Sequence, residues 1–133
     1  MRVLIDTNIL ISAMLSQGTP YRAYVKAVSY PNQGVISEQI VDEVRRIFNK
    51  KFPNKISAME SFLDVALQTL ELVDVPEKEV PQENMNRDKN DRAILRAAIS
   101  ADVDIILTGD KDFLESGIEK PHMMTAAEFV EKL

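Results

Sequence analysis

The chain has 133 residues, of which 45% are hydrophobic and 28% charged, and its formal net charge is −5. These values are typical of a soluble globular protein, and we expect residues 1–133 to form a single domain. The absence of cysteine and the presence of one histidine, His122, exclude disulfides, thiolate metal sites and histidine-rich zinc sites, so only oxygen ligands remain for a metal. Without a long apolar run or a signal peptide, the chain is predicted to be cytoplasmic, with no membrane segment.

Short apolar runs alternate along the chain with stretches of helical periodicity. Residues 2–5 are predicted to form a buried strand, and helices follow over residues 9–15 and 20–29. A strand at 34–36 leads into a helix that Ser37 caps and that runs to about residue 50. The remaining predicted elements are a helix over 54–70, a strand at 72–75, a loop over 75–90, a helix over 88–101, a strand at 104–107, a strand near 123 and a helix over 125–132. The alternation indicates an α/β fold with a mainly parallel sheet covered on both faces.

Acidic residues follow two of the predicted strands. Asp6 comes directly after the first strand, Asp110 comes two residues after the strand at 104–107, and Asp112 lies two residues further on. In an open parallel sheet, ligands bind outside the carboxyl ends of the strands. Each of these residues could also be an ordinary helix N-cap, which is the commoner role of an aspartate after a strand.

Two further acids lie on the buried faces of predicted helices. Glu43 borders the apolar stripe of the helix after Ser37, where it either faces the protein interior or reaches solvent. Asp91 shares a helix face with Ile94 and Ala98, and we assign the capping of that helix to Asp88 instead. A buried charge is costly without a partner, and the chain offers no clustered bases to pair with Asp91, so a metal ion is a reasonable partner.

Several carboxylates in one cleft repel one another and stay ionised together only when cations lie between them. Magnesium and manganese prefer such oxygen ligands. Two ions held this way can position a water molecule and stabilise the leaving oxygen of a phosphodiester. The acids therefore predict a site for Mg²⁺ or Mn²⁺.

Five of the sixteen basic residues are concentrated in one short stretch. They are Arg45, Arg46, Lys50, Lys51 and Lys55. This patch could contact a phosphate backbone. Taken alone, however, it is better interpreted as a solvated helix end, and the net negative charge of the chain does not favour a nucleic-acid-binding surface.

Four motifs in order resemble those of the PIN-domain family. They are Asp6-Thr7-Asn8, the stretch from Ser37 to Glu43, the stretch from Asp91 to Ala98, and Thr108-Gly109-Asp110-Lys111-Asp112-Phe113. Their order and spacing fit the family over nearly the whole chain. Within it, the chain is most similar to the toxins of prokaryotic toxin–antitoxin operons.

The resemblance implies a three-layer α/β/α sandwich with a five-stranded parallel sheet of order 3-2-1-4-5, and metal-dependent hydrolysis of RNA with Mg²⁺ or Mn²⁺. It also implies a small antitoxin protein as a partner, and a homodimer. The residues carried over are Asp6, Glu43, Asp91 and Asp110 as the catalytic and metal-binding acids, Asp112 as an accessory ligand, and Asn8 and Thr108 as supporting residues. Lys111, or the basic patch, could hold the RNA backbone. For Lys111, a solvent-exposed lysine at a helix start is an equally good interpretation.

Other functions fit the sequence less well or remain open. A magnesium-dependent phosphatase with an aspartyl nucleophile would need Asp-x-Asp after the first strand, where this chain has Asn8. The acids also fit a receiver domain poorly. A non-catalytic module that binds RNA or protein on the same fold remains an alternative.

Overall fold

The computed structural model describes residues 1–132, which form a five-stranded sheet with helices on both faces. The strands are β1 (Arg2–Ile5), β2 (Gln33–Ser37), β3 (Glu71–Val73), β4 (Ile105–Leu107) and β5 (His122–Met124). The helices are α1 (Thr7–Leu15), α2 (Thr19–Val28), α3 (Glu38–Lys51), α4 (Ile56–Thr69), α5 (Lys89–Ser100), α6 (Lys111–Leu114) and α7 (Ala126–Lys132). The strand order is β3-β2-β1-β4-β5 and every neighbouring pair is parallel, which confirms the predicted architecture.

The centre of the sheet is β1, which lies between β2 and β4. Val3, Leu4 and Ile5 are completely buried, as a strand covered on both faces requires. Along the chain the strands are added first on one side of β1 and then on the other. The carboxyl ends of β1 and β4 therefore lie side by side at the point where the strand order reverses, which is the usual ligand position in such sheets.

The helices pack on the sheet through apolar faces. On α3, Ile40, Val44 and Phe48 are buried at helical spacing while Asp42 and Asn49 are exposed. Within residues 1–132, no helix is both long enough and apolar enough to cross a membrane.

Several elements differ from those predicted, among them β3, which ends at Val73 rather than at residue 75. Helix α1 begins at Thr7 rather than at residue 9, because the Asp6 carboxylate accepts a hydrogen bond from the Thr7 amide and caps the helix two residues earlier. A 3₁₀ turn over Pro53–Lys55 delays the start of α4. The short helix α6 follows directly on the Thr108-Gly109-Asp110 turn and was not predicted as a separate element.

The segment between β3 and α5 is fastened to α5 by two arginines one turn apart. The Arg96 guanidinium makes two hydrogen bonds, of 2.8 and 2.9 Å, to the carboxylate of Glu83, whose side chain is only 2% exposed. Arg96 also donates to the carbonyl of Pro76, and Arg92 donates to the carbonyl of Asn86. These contacts fix the chain just before Asp88, the residue that caps α5.

Candidate functional site

Asp6 and Asp110 are joined by Thr108 at the carboxyl ends of β1 and β4. The Thr108 hydroxyl donates to Asp6 Oδ2 over 2.8 Å and accepts a hydrogen bond of 3.0 Å from the Asp110 amide. The pairing of β1 with β4 brings the two strand ends into register, and the Asp6 amide donates to the Leu107 carbonyl. Thr108 is completely buried, so its hydroxyl has one orientation available.

Asp6, Asp110 and Asp88 all cap helices, as was foreseen for an aspartate after a strand. Each accepts one hydrogen bond of 2.8 Å from a backbone amide of its helix, through Oδ1. Capping occupies one carboxylate oxygen and leaves the other carboxylate oxygen of Asp88 and Asp110 for another partner. Capping and ligand binding are therefore compatible here.

Glu43 is held from two sides at the edge of the same cleft. The Thr7 hydroxyl donates to Glu43 Oε2 over 2.7 Å, and the Gln39 amide donates to Oε1 over 3.3 Å. Gln39 also donates to the carbonyl of Asn90, so it links α3 to the start of α5. Glu43 thus faces the protein interior, one of the two positions that the sequence left open.

Asp91 is the most unusual acid of the group. It is buried on the first turn of α5, and its Oδ2 accepts no hydrogen bond within the described residues. The pKa of Asp91 is raised to about 8, mainly by burial, with further contributions from the negative charges of Asp110, Asp6 and Asp88 and from a side-chain hydrogen bond with Asp110.

Burial also raises the pKa of Asp6, to about 6, although the hydrogen bonds from Thr108 and Thr7 lower it. The charges of Asp110 and Glu43 contribute smaller upward shifts. Two neighbouring acids are therefore harder to ionise than free carboxylates. A divalent cation would favour their charged forms.

The structure brings the four predicted acids together. A cleft of about 180 Å³ is lined by Asp6, Thr7, Asn8, Glu43, Arg46, Ile47, Asp88, Asn90, Asp91 and Asp110. The predicted supporting residue Asn8 is exposed in the cleft wall, and Thr108 lies beneath it between two acids.

Asp112 belongs to a second, overlapping group. Carboxylate oxygens of Asp88, Asp91 and Asp112 lie within 4.8 Å of one another. Asp112 is also paired with Arg87 at 3.0 Å. Asp88 and Asp91 are common to this group and to the cleft, so a cation beside them could be shared by ligands from either side.

The predicted basic residues separate into different environments. Arg45 is engaged by Glu60 through three contacts of 3.0–3.3 Å, and Lys50 and Lys51 are exposed in the last turn of α3. Lys111 is exposed at the start of α6. Among the predicted bases, only Arg46 lines the cleft.

Sequence reasoning missed two contributors to this arrangement, Thr7 and Gln39, which hold Glu43. Asp88, which the sequence placed at the cap of α5, also joins the acids. Gln39 lies one helical turn before Glu43, a spacing at which side chains meet, so it could have been found. The contact between Thr7 and Glu43 depends on how α1 and α3 pack, which the sequence does not reveal.

Comparison with known proteins identifies a family to which the chain is similar. A family model described as "PIN domain" matches residues 2–112. A solved structure of VapBC2 from Rickettsia felis, bound to a DNA fragment from its promoter, is similar over 94% of this chain and 98% of the matched chain, with a TM-score of 0.71 and 21% identity. No curated protein sequence matches.

A second similar structure is VapC20 from Mycobacterium tuberculosis, described as a toxin that cleaves the sarcin–ricin loop. It matches over 87% of this chain and 95% of its own, with a TM-score of 0.62 and 14% identity. At these identities both likenesses concern the fold. Because the family model covers most of the chain, the protein belongs to the PIN-domain family.

Proposed function

We propose that this protein is a ribonuclease that hydrolyses RNA phosphodiester bonds with the help of bound Mg²⁺ or Mn²⁺. The observation that carries the proposal is the buried Asp91 Oδ2, which has no hydrogen-bond partner in the described part of the chain and belongs to a residue that shares the cleft with four other carboxylates. Membership of the PIN-domain family supports a nuclease. The likeness to a toxin described as cleaving the sarcin–ricin loop supports RNA as the substrate.

The residues present suit a hard divalent cation. All candidate ligands are carboxylate oxygens, which Mg²⁺ and Mn²⁺ prefer, and no softer ligand occurs among the residues that line the cleft. We assign Asp6, Asp91 and Asp110 as the main metal ligands, with Glu43 and Asp112 as further ligands. A bound cation would supply Lewis acidity at the phosphate and lower the pKa of a bound water.

The protein itself contributes orientation. Thr108 orients the Asp6 carboxylate through one hydrogen bond and holds the backbone of Asp110 through the other. Glu43, held by Thr7 and Gln39, is assigned to orient the water that attacks phosphorus. Asn8, exposed in the cleft wall, is assigned to hydrogen-bond the substrate or that water. Holding these groups in one geometry lowers the entropic part of the barrier.

The test is cleavage of a structured and an unstructured RNA by purified protein with magnesium, with manganese and with excess chelator. Asp91→Asn is compared with Asp64→Asn, a control at an exposed position of α4. Metal-dependent cutting that Asp91→Asn loses and Asp64→Asn keeps supports the proposal. RNA binding without cutting would favour the non-catalytic alternative, and hydrolysis of small phosphate esters alone would favour a phosphatase.

We further propose that the nuclease is the toxin of a toxin–antitoxin pair, acts as a homodimer in the cytoplasm and is restrained by a small antitoxin protein. The description of one protein of similar fold as a toxin supports this role. Expression of the wild type should arrest growth, and Asp91→Asn should not. Growth that is equally slowed by both proteins would contradict a nuclease toxin.

A further inference from the structure

Arg46 is the one basic side chain that lines the acidic cleft among the described residues. It also forms part of the wall of a larger adjoining cavity of about 590 Å³, which shares Glu43 and Asn90 with the cleft. The side chain therefore stands where the two cavities meet. This position is specific to Arg46, because the other bases of the patch line neither of these two cavities.

The Arg46 guanidinium has no partner in residues 1–132. It makes no hydrogen bond and no ion pair within 4 Å, although several acids surround it. An arginine whose role was to neutralise one of these acids would lie against it, as Arg87 lies 3.0 Å from Asp112. Arg45, its neighbour on α3, is fully engaged by Glu60. Arg46 therefore remains available to an anion from outside the protein.

The adjoining cavity restricts where that anion can come from. Its walls include Glu38, Asp42 and Asp74, in addition to Glu43. These acids would disfavour a phosphate in the adjoining cavity. The acids of the cleft would be offset by the proposed divalent cation, so a chain of phosphates is expected to reach Arg46 from the cleft side.

We propose that Arg46 binds a backbone phosphate of the RNA next to the scissile one and so holds the strand across the acidic cleft. The inference rests on the proposed ribonuclease function and names a substrate-positioning residue for it. Arginine suits this task because its planar guanidinium makes paired hydrogen bonds to phosphate oxygens. Without such a contact, a protein of net charge −5 has little to hold RNA beside its carboxylates.

The test compares Arg46→Gln with Arg45→Gln, which removes the same charge from the adjacent position of the same helix. A labelled single-stranded RNA is titrated with each protein at several salt concentrations, with Ca²⁺ in place of Mg²⁺ to keep the cation charge. Arg46→Gln should weaken binding about tenfold or more, as expected for one charged hydrogen bond. It should also make the negative slope of log K against log salt shallower by about 0.7, the value for one phosphate contact with a single strand. Arg45→Gln should leave the slope unchanged.

Cleavage kinetics in magnesium provide an independent readout. Arg46→Gln should raise KM with little change in kcat, and Arg46→Lys should restore part of the loss. If RNA is cleaved and the two glutamine variants have equal KM and equal salt slopes, Arg46 does not bind an RNA phosphate, although the protein is still a ribonuclease. If the salt slope becomes shallower only in Arg46→Gln but no RNA is cleaved, the RNA-binding role of Arg46 is supported and the proposed ribonuclease function is contradicted. Thermal melting of Arg46→Gln at the temperature of the wild type excludes misfolding as the cause.

Discussion

The Thr108 hydroxyl links the Asp6 carboxylate to the backbone of Asp110, with distances of 2.8 and 3.0 Å. Replacing Thr108 by valine keeps the shape of the side chain and removes both hydrogen bonds. The loss should cost about 1–3 kcal/mol of unfolding free energy, because buried polar groups then lack a partner. Metal affinity should fall about 10–100-fold, the usual effect of losing a group that orients a ligand.

Urea unfolding and manganese titration of Thr108→Val check this prediction. Thr69→Val is the matched control, because its hydroxyl donates to the Ala66 carbonyl at the end of α4. The control should keep the manganese affinity of the wild type. Unchanged manganese affinity in Thr108→Val would show that Thr108 does not orient a metal ligand.

Asp91→Asn should have opposite effects on stability with and without metal. In chelator the variant should be more stable than the wild type, because the wild type must either hold a buried charge repelled by Asp6, Asp88 and Asp110 or keep the carboxyl protonated at a cost that rises with pH. With metal at about one hundred times its dissociation constant, the wild type should gain about 2.7 kcal/mol, and the variant should gain much less. Thermal melting with chelator and with manganese measures both effects. An equal gain in the two proteins would place the metal elsewhere.

The stability of the metal-free protein should fall as pH rises. The folded-state pKa values of Asp6, about 6, and Asp91, about 8, lie above the roughly 3.9 of an unfolded aspartate. Between these values the folded state binds more protons than the unfolded state, so the free energy of unfolding decreases from about pH 4 to about pH 8. Urea midpoints measured in chelator across this range should decrease, and less steeply in Asp91→Asn. Midpoints that rise with pH would contradict the assigned shifts.

Breaking the ion pair between Glu83 and Arg96 should destabilise the protein more than breaking a surface pair. Glu83 is almost fully buried, so Glu83→Gln leaves the positive charge of Arg96 without its negatively charged partner. The exposed pair of Arg2 and Glu71 provides the control, since such pairs contribute about 0–1 kcal/mol. Urea unfolding of Glu83→Gln and Glu71→Gln compares them. Equal losses would mean that the segment before Asp88 is not held by this pair.

The fold could be predicted because several local signals agreed. Apolar runs such as Val3-Leu4-Ile5 identified strands buried on both faces, and Ser37 marked the start of α3, where it accepts a hydrogen bond from the Ile40 amide. Boundaries were less predictable. The start of α1 depends on whether Asp6 caps the helix, and α6 is a single turn whose four residues have little periodicity.

The acidic residues of the site could be predicted from the sequence, whereas most of their side-chain contacts could not. Asp6 and Asp110 follow strands, and the topology alone brings strand ends together. That Asp91 is buried followed from its helix face, whereas its free Oδ2 depends on the surrounding side chains. The pairing of Arg45 with Glu60 joins α3 to α4 across fifteen residues, so sequence alone could not separate Arg45 from Arg46.

The most direct test is a manganese titration in which metal binding and RNA cleavage are measured on the same samples of wild type and Asp91→Asn. The account predicts that the cleavage rate of the wild type rises in proportion to bound manganese, and that the variant loses both tight binding and cleavage. RNA cleavage that persists in excess chelator, or that Asp91→Asn retains in full, would contradict it.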